Sequence, residues 1–226
     1  MGSSDDPSRP ELTNYVSAVQ RFSTIRPEIL FEAGTKDGKD SIFLAQELNI
    51  PHQGVYLFEP NQMLYKKLEQ DTALDQMNKI PAALYNQTCQ LKFYEALNSD
   101  DGRSSLLDRP EIYSDPSLFK VVQVDAIRLD EFMESKSIDF IDLFKLDVEG
   151  ATMEVLEGAG TRLRDIKSFQ IEAEYYQIWE SQSTWKEIKY FLEYQGFVQL
   201  IEINHGDRQC DSIWIQKEFV KGHTNG

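Results

Sequence analysis

The stretch from Ile29 to Pro60 constrains the chain most, because its apolar runs, glycines and acids follow the order strand, tight turn, helix, strand, acid. The first run, Glu28-Ile29-Leu30-Phe31, leads into Glu32-Ala33-Gly34-Thr35-Lys36-Asp37-Gly38. The second, Gly54-Val55-Tyr56-Leu57-Phe58, ends in Glu59-Pro60. Glycine adopts positive φ without strain and lets a ligand approach the main chain, so two glycines between a strand and a helix make a cradle suited to a nucleotide. Glu59 follows Gly38 at the distance, about 20 residues, at which an acid on the next strand's tip meets a ribose hydroxyl.

The remaining chain keeps alternating. Leu12, Tyr15, Val16, Val19 and Phe22 share one helical face and are expected to pack on the core. Ile42, Leu44, Ala45 and Leu48 give a helix that stops before Pro51, and Met63, Leu64 and Leu68 give another after Pro60. A third strand is expected at Ala82-Ala83-Leu84-Tyr85, with a polar turn and a hairpin return at Leu91 to Tyr94. Residues 98–116, rich in Ser, Asp, Arg and Pro, are too long for a plain connection and read either as a binding loop or as disorder. Val121 to Val124 is β-rich, and Leu129 to Met133 begins a helix.

Ile138 to Gly150 is the second informative stretch. Its apolar density fits a central buried strand, with Lys145, Asp147 and Glu149 gathered at the carboxyl end, where open α/β sheets bind ligands. A helix carrying Val148, Ala151, Val155, Leu156 and Ala159 follows. Ser168 to Glu174 reads as a fifth strand with Glu172 and Glu174 on one side. Thr184 and Glu187 form a capping box before a helix closed by Gly196. Phe197 to Ile203 and Asp211 to Gln216 are too closely connected to be parallel. The fold class is therefore α/β, a doubly wound and mostly parallel sheet that finishes in an antiparallel C-terminal hairpin.

At 226 residues, 41% hydrophobic and 27% charged, the chain has the composition of a soluble globule. One domain is expected over residues 11–218, with residues 1–10 and 219–226 disordered. No apolar run approaches the roughly 18 residues of a membrane span, and the first residues lack the pattern of a signal peptide, so the expected location is cytoplasmic. Cys89 and Cys210 are expected to be buried free thiols. A net charge of −15 counts against nucleic acid as a partner. The absence of G-x-G-x-x-G weakens a dinucleotide dehydrogenase, and the absence of G-x-x-x-x-G-K-[ST] removes a P-loop kinase.

Three blocks in order resemble the FkbM family of class I S-adenosylmethionine-dependent methyltransferases: Glu32 to Gly38, Phe58-Glu59-Pro60, and Lys145 to Ala151 followed by Val155 to Ala159. The resemblance extends from about Ile29 to Glu174. It implies a seven-stranded Rossmann-like sheet, S-adenosylmethionine as cofactor, and methylation of a hydroxyl on a sugar or other small metabolite. Carried onto this chain, Glu32 and the backbone of Gly34 and Gly38 hold the methionine part of the cofactor, and Glu59 takes the ribose. The adenine contact is expected near Ala82 to Leu84, or from Asp101 and Ser104. The chain departs from the family's usual turn at Glu32, Thr35 and Lys36.

Methyl transfer to oxygen needs alignment of the reacting atoms and removal of the hydroxyl proton. Asp147 is the first candidate for that base or for orienting the acceptor. Lys145 would hold Asp147 ionised or bind an acceptor oxygen, and a structural ion pair of the two is the rival. Glu172 is a candidate for a supporting role or, with Asp147 and Glu149, for a divalent cation; metal independence is the expectation. Glu149 also suits the N-terminus of its helix. His205 is a rival base. Tyr175, Tyr176 and Trp179 are candidates to line an acceptor pocket, with ordinary packing as the rival. The expected partner is a small-molecule acceptor, with no nucleic acid and no membrane, and a homodimer stays open. Competing functions are a nicotinamide- or nucleotide-sugar-dependent oxidoreductase and a non-catalytic cofactor-binding protein.

Overall fold

The computed structural model describes residues 10–97, 103–108 and 118–222. Helix α1 (Pro10–Ser17) runs on into a π-helical turn at Ala18–Phe22. Strand β1 (Leu30–Ala33), helix α2 (Lys39–Leu48), strand β2 (Val55–Phe58), helix α3 (Gln62–Gln70) and strand β3 (Asn78–Ile80) follow. Next come β4 (Ala83–Leu84), β5 (Cys89–Ala96), β6 (Phe119–Ile127), α4 (Leu129–Ser135), β7 (Leu143–Leu146) and α5 (Thr152–Gly158). The chain finishes with β8 (Ser168–Glu174), α6 (Trp185–Tyr194), β9 (Phe197–His205) and β10 (Gln209–Gln216).

Seven strands form one sheet in the order β3-β2-β1-β7-β8-β10-β9. Strands β3, β2, β1, β7 and β8 pair in parallel, while β10 runs antiparallel to both neighbours. The winding reverses between β1 and β7, so a crevice opens at their carboxyl ends, which is where open sheets of this kind take ligands. Each sheet face carries its own apolar layer. Phe31, Phe58, Phe144 and Phe169 pack with α4, α5 and α6 on one side, and Leu30, Leu57, Leu143 and Ile213 pack with α1 and α2 on the other.

That alternation decides where the polar residues fall. Glu32 shares the parity of Leu30, Lys145 that of Leu143 and Asp211 that of Ile213, so all three point to the α1 and α2 side. Parallel register sets Glu32 directly opposite Lys145. On β8, Gln170 and Glu172 alternate with Phe169, Ile171 and Ala173, whose side chains belong to the other layer.

Four expectations change. The third strand of the main sheet is Asn78–Ile80, because Pro81 has no N–H for a ladder and the chain leaves the sheet there. Ala83–Leu84 instead joins β6 and β5 in a separate three-stranded sheet, order β4-β6-β5. The strand expected from Ile138 is regular only from Leu143, since Asp142 turns its carboxylate back to accept the N–H groups of Glu28 and Ile29 at 2.8 and 2.9 Å. Cys89, at the start of β5, is exposed, while Cys210 is buried, and both are free thiols. At the C-terminal end the chain continues past 218 into a 3-10 turn (Lys217–Phe219), and Val220 bridges Ser23. Among the described residues no helix is long and apolar enough to cross a membrane.

Candidate active site

The turn after β1 is held by contacts that only its residue types allow. Gly34 sits at φ +79°, and a Cβ there would lie 1.8 Å from the main-chain oxygen of Asp147. The glycine thus lets the β1 turn press against the end of β7, where the Asp147 N–H donates to the Ala33 carbonyl at 3.1 Å. Gly38, at φ +73°, caps α2 and packs on Leu74. Glu32 is 1% exposed and works from behind the turn: its Oε2 accepts the hydroxyls of Thr35 at 2.9 Å and Ser41 at 2.6 Å.

At the tip of β2, Glu59 is 4% exposed and faces the crevice. Its two oxygens accept the main-chain N–H groups of Lys36 at 2.9 Å and Asn61 at 2.8 Å. Burial pushes its carboxyl up to about 7, against the pull of those two hydrogen bonds. Each carboxylate oxygen can accept more than one hydrogen bond, so both retain capacity for a diol.

Lys145 is buried at the end of β7 and meets three carboxylates: Asp147 at 3.2 Å, Asp40 at 3.3 Å and Glu32 at 3.4 Å. Burial alone would lower its pKa, but the charges of Asp147, Glu32 and Asp211 outweigh that and raise it. It is a permanent cation that ties the β1 turn, α2 and the β7 turn together. The Asp-Val-Glu-Gly segment beyond it bends sharply, with Glu149 at φ 48° and Gly150 at φ 92°. A Cβ on Gly150 would fall 2.3 Å from the Trp179 ring.

These elements enclose a cleft of 380 Å³. One wall is apolar, from Phe58, Leu64, Ala83, Leu84 and Phe93; the other is polar, from Asp147, Glu149, Glu172 and Glu174. Carboxyl oxygens of Asp147, Glu149 and Glu172 lie within 4.8 Å of one another. Burial, then the charges of Asp147, Glu149 and Asp211, drive the Glu172 carboxyl well above the ordinary range. Glu174 is raised too, first by burial, although the Gln182 amide donates to it.

The structure brings Gly34, Glu59, Ser104, Asp147 and Glu172 to the cleft. It keeps Glu32 and Gly38 behind the turn, and Lys145 faces a neighbouring smaller cavity instead. Asp101 lies outside the described residues. Ser104 accepts the Ala96 N–H at 3.0 Å, which fixes its hydroxyl beside the apolar wall. The candidate aromatic lining is corrected. Trp179 is 1% exposed and packs with Leu107, Ala151 and Ile178, because Gly150 leaves room for its ring. Tyr175 turns to Asn204, Tyr176 is exposed, and Ile178 lines the cleft in their place.

One polar chain escaped the reading of the sequence. His205 Nε2 lies 2.5 Å from Asp211 Oδ2, and Asp211 Oδ1 accepts the Gln170 amide at 2.6 Å. The signal was a Gln between Phe169 and Ile171 on β8 and an Asp two residues before Ile213 on β10.

A family model described as the methyltransferase FkbM domain matches residues 32–198. Among solved structures, the chain resembles the methyltransferase FkbM from Methylobacillus flagellatus KT, with 15% identity and a TM-score of 0.58. That match covers 92% of this chain and 48% of the other, so the chain spans about half the length of that relative. An uncharacterized protein from Listeria monocytogenes serotype 4b aligns at 9% identity and a TM-score of 0.50, covering 96% of this chain and 71% of its own. No curated protein matches the sequence.

Proposed function

Because the chain belongs to the methyltransferase FkbM domain family, we propose that it transfers a methyl group from S-adenosylmethionine to a hydroxyl oxygen of a small metabolite, with sugars as the first class. The observation that carries this reading is Glu59, a buried carboxylate at the tip of β2, fastened by two main-chain N–H groups and facing the cleft.

The residues present fit the donor. Glu59 would accept the ribose hydroxyls. Leu64, Ala83, Leu84 and Phe93 would hold the adenine, with the Ser104 hydroxyl on the same side of the cleft. Gly34 and Lys36 bring main chain to the cleft, and Glu32, Thr35 and Ser41 keep their turn in one shape. The sulfonium supplies an activated methyl: the carbon–oxygen bond forms as the carbon–sulfur bond breaks, and the bonding pair returns to sulfur.

Asp147 stands where the donor cleft meets the smaller cavity and lines both. It orients the acceptor hydroxyl and takes its proton, while Lys145 fixes the carboxylate in place. Lys145 is buried and held positive by three acids, so it supports and does not itself act as a base.

Calorimetry tests the reading directly. S-adenosylhomocysteine should bind the folded protein and NAD should not, and Glu59→Ala should abolish the heat while leaving the melting curve cooperative. A folded protein silent towards S-adenosylhomocysteine rejects the proposal. Incubation of sugar alcohols with radiolabelled donor then checks transfer to oxygen, and Asp147→Asn retaining full rate would remove the assigned role of Asp147.

A further inference from the structure

Against the donor cleft lies a second cavity of 220 Å³, and the two share Asp147, Glu172 and Gln209 as a common wall. Its other walls come from the start of α1 through Glu11, the start of α2 through Asp40, and the β9–β10 hairpin through His205 and Asp211. Among the described residues five carboxyl groups thus line it against one lysine, and Lys145 is already shared among Glu32, Asp40 and Asp147.

A second observation is independent of that charge. Gln170 lines the same cavity and is 1% exposed, and its Nε2 donates to Asp211. Among the described residues its carbonyl Oε1 has no hydrogen-bond partner. Leaving a buried acceptor unmet costs about 1–3 kcal/mol, and the groups around it are mostly acceptors themselves. The orphan oxygen and the excess negative charge both call for a positively charged hydrogen-bond donor.

Resting on the methyl-transfer reading, we infer that this cavity is the acceptor subsite and that it takes a hydroxyl compound bearing a protonated amine, as an amino sugar does. The ammonium sits among Gln170 Oε1, Glu172 and Asp211, and the hydroxyl reaches the common wall at Asp147. His205 lines the cavity and is fastened to Asp211 through Nε2.

The test uses the full chain saturated with S-adenosylhomocysteine, titrated by calorimetry with glucosamine, glucose and glucuronate as cationic, neutral and anionic probes of one ring size. Glucosamine should bind about tenfold or more tightly than glucose, the worth of one charge-assisted hydrogen bond, and glucuronate should give no heat. Gln170→Leu, and separately Asp211→Asn in case the first fails to fold, should erase most of that preference with the affinity for S-adenosylhomocysteine held. Equal binding of the three, no binding of glucosamine, or a preference for glucuronate overturns the inference. So does Mg²⁺ alone giving a heat that Glu172→Gln removes while no amine preference exists. Loss of S-adenosylhomocysteine binding itself would take away the underlying reading as well, which separates the two failures.

Discussion

The two halves of the cleft are built on opposite electrostatic plans. At the tips of β1 and β2 every buried carboxylate has donors waiting: Glu32 has Thr35, Ser41 and Lys145, and Glu59 has the N–H groups of Lys36 and Asn61. At the ends of β7, β8 and β10, Glu172, Glu174 and Asp211 stand near other acids; burial comes first in raising all three, neighbouring charges add to it at Glu172, and at Glu174 and Asp211 it outweighs the opposing hydrogen bonds of Gln182 and His205. The first half is settled before any ligand arrives. The second holds unmet charge and an orphan acceptor, the condition of a surface completed by its ligand.

The sharpest way to break that contrast is to remove the cation that joins the halves. Lys145→Met leaves Glu32 buried without its counter-charge, and urea denaturation should show a loss of about 3–5 kcal/mol. Adding Glu32→Gln in the same chain should recover most of it, and a single-variant loss below about 1 kcal/mol would mean that the halves are not coupled through this lysine.

On the settled side, Glu59→Gln keeps the shape and removes the charge that would accept a diol. Affinity for S-adenosylhomocysteine should fall about 100-fold by calorimetry, since hydrogen bonds to charged groups are worth about 1.5–3 kcal/mol. A change of less than fivefold would place the ribose elsewhere.

The same carboxyl gives a pH dependence. Burial pushes it up to about 7, and on the proposed reading the ionised form would accept the diol, so protonation would compete with binding. Donor affinity should be flat above pH 7 and weaken about tenfold per unit below it. An affinity unchanged down to pH 5 would show that Glu59 stays outside the contact.

The smallest effect lies on the unsettled side. A carboxyl raised above its unfolded value favours the native state at low pH, and that advantage is lost as pH rises from about 4.5 towards the folded value. Glu172→Gln removes the titration, so between pH 5 and 8 its stability should decline less than wild type's, by about 1 kcal/mol read from melting curves. A parallel decline in both proteins would mean that Glu172 is not crowded by its neighbours.

Much of this was legible in residue order. The Gly34 turn, the strand ending in Glu59, the capping box of Thr184 and Glu187, and the hairpin that reverses β10 are local, because each depends on glycine conformation, chain connection or a short hydrogen-bond pattern. Asp147 and Glu172 were also readable, as acids at the carboxyl ends of buried strands. Of the two readings of the aromatics, packing holds for Trp179, and nothing near it in the sequence says that Gly150, far upstream, opens space for its ring. Pro81 shows an intermediate case, a local signal whose consequence, a separate three-stranded sheet, depended on β6 lying beside β4.

By itself the sequence determined the alternation of strands and helices, the doubly wound sheet and the positions of the two acids at its crevice. Those follow from periodicity and backbone preference, which act over a few residues. Only the tertiary structure decided that Glu32 serves the turn from behind, that Lys145 balances three carboxylates, and that Gln170, Asp211 and His205 form one chain beside Asp147. Such groupings arise from strand register and burial across long sequence separations, where the cost of an unpaired charge is set by neighbours that the linear chain does not place side by side.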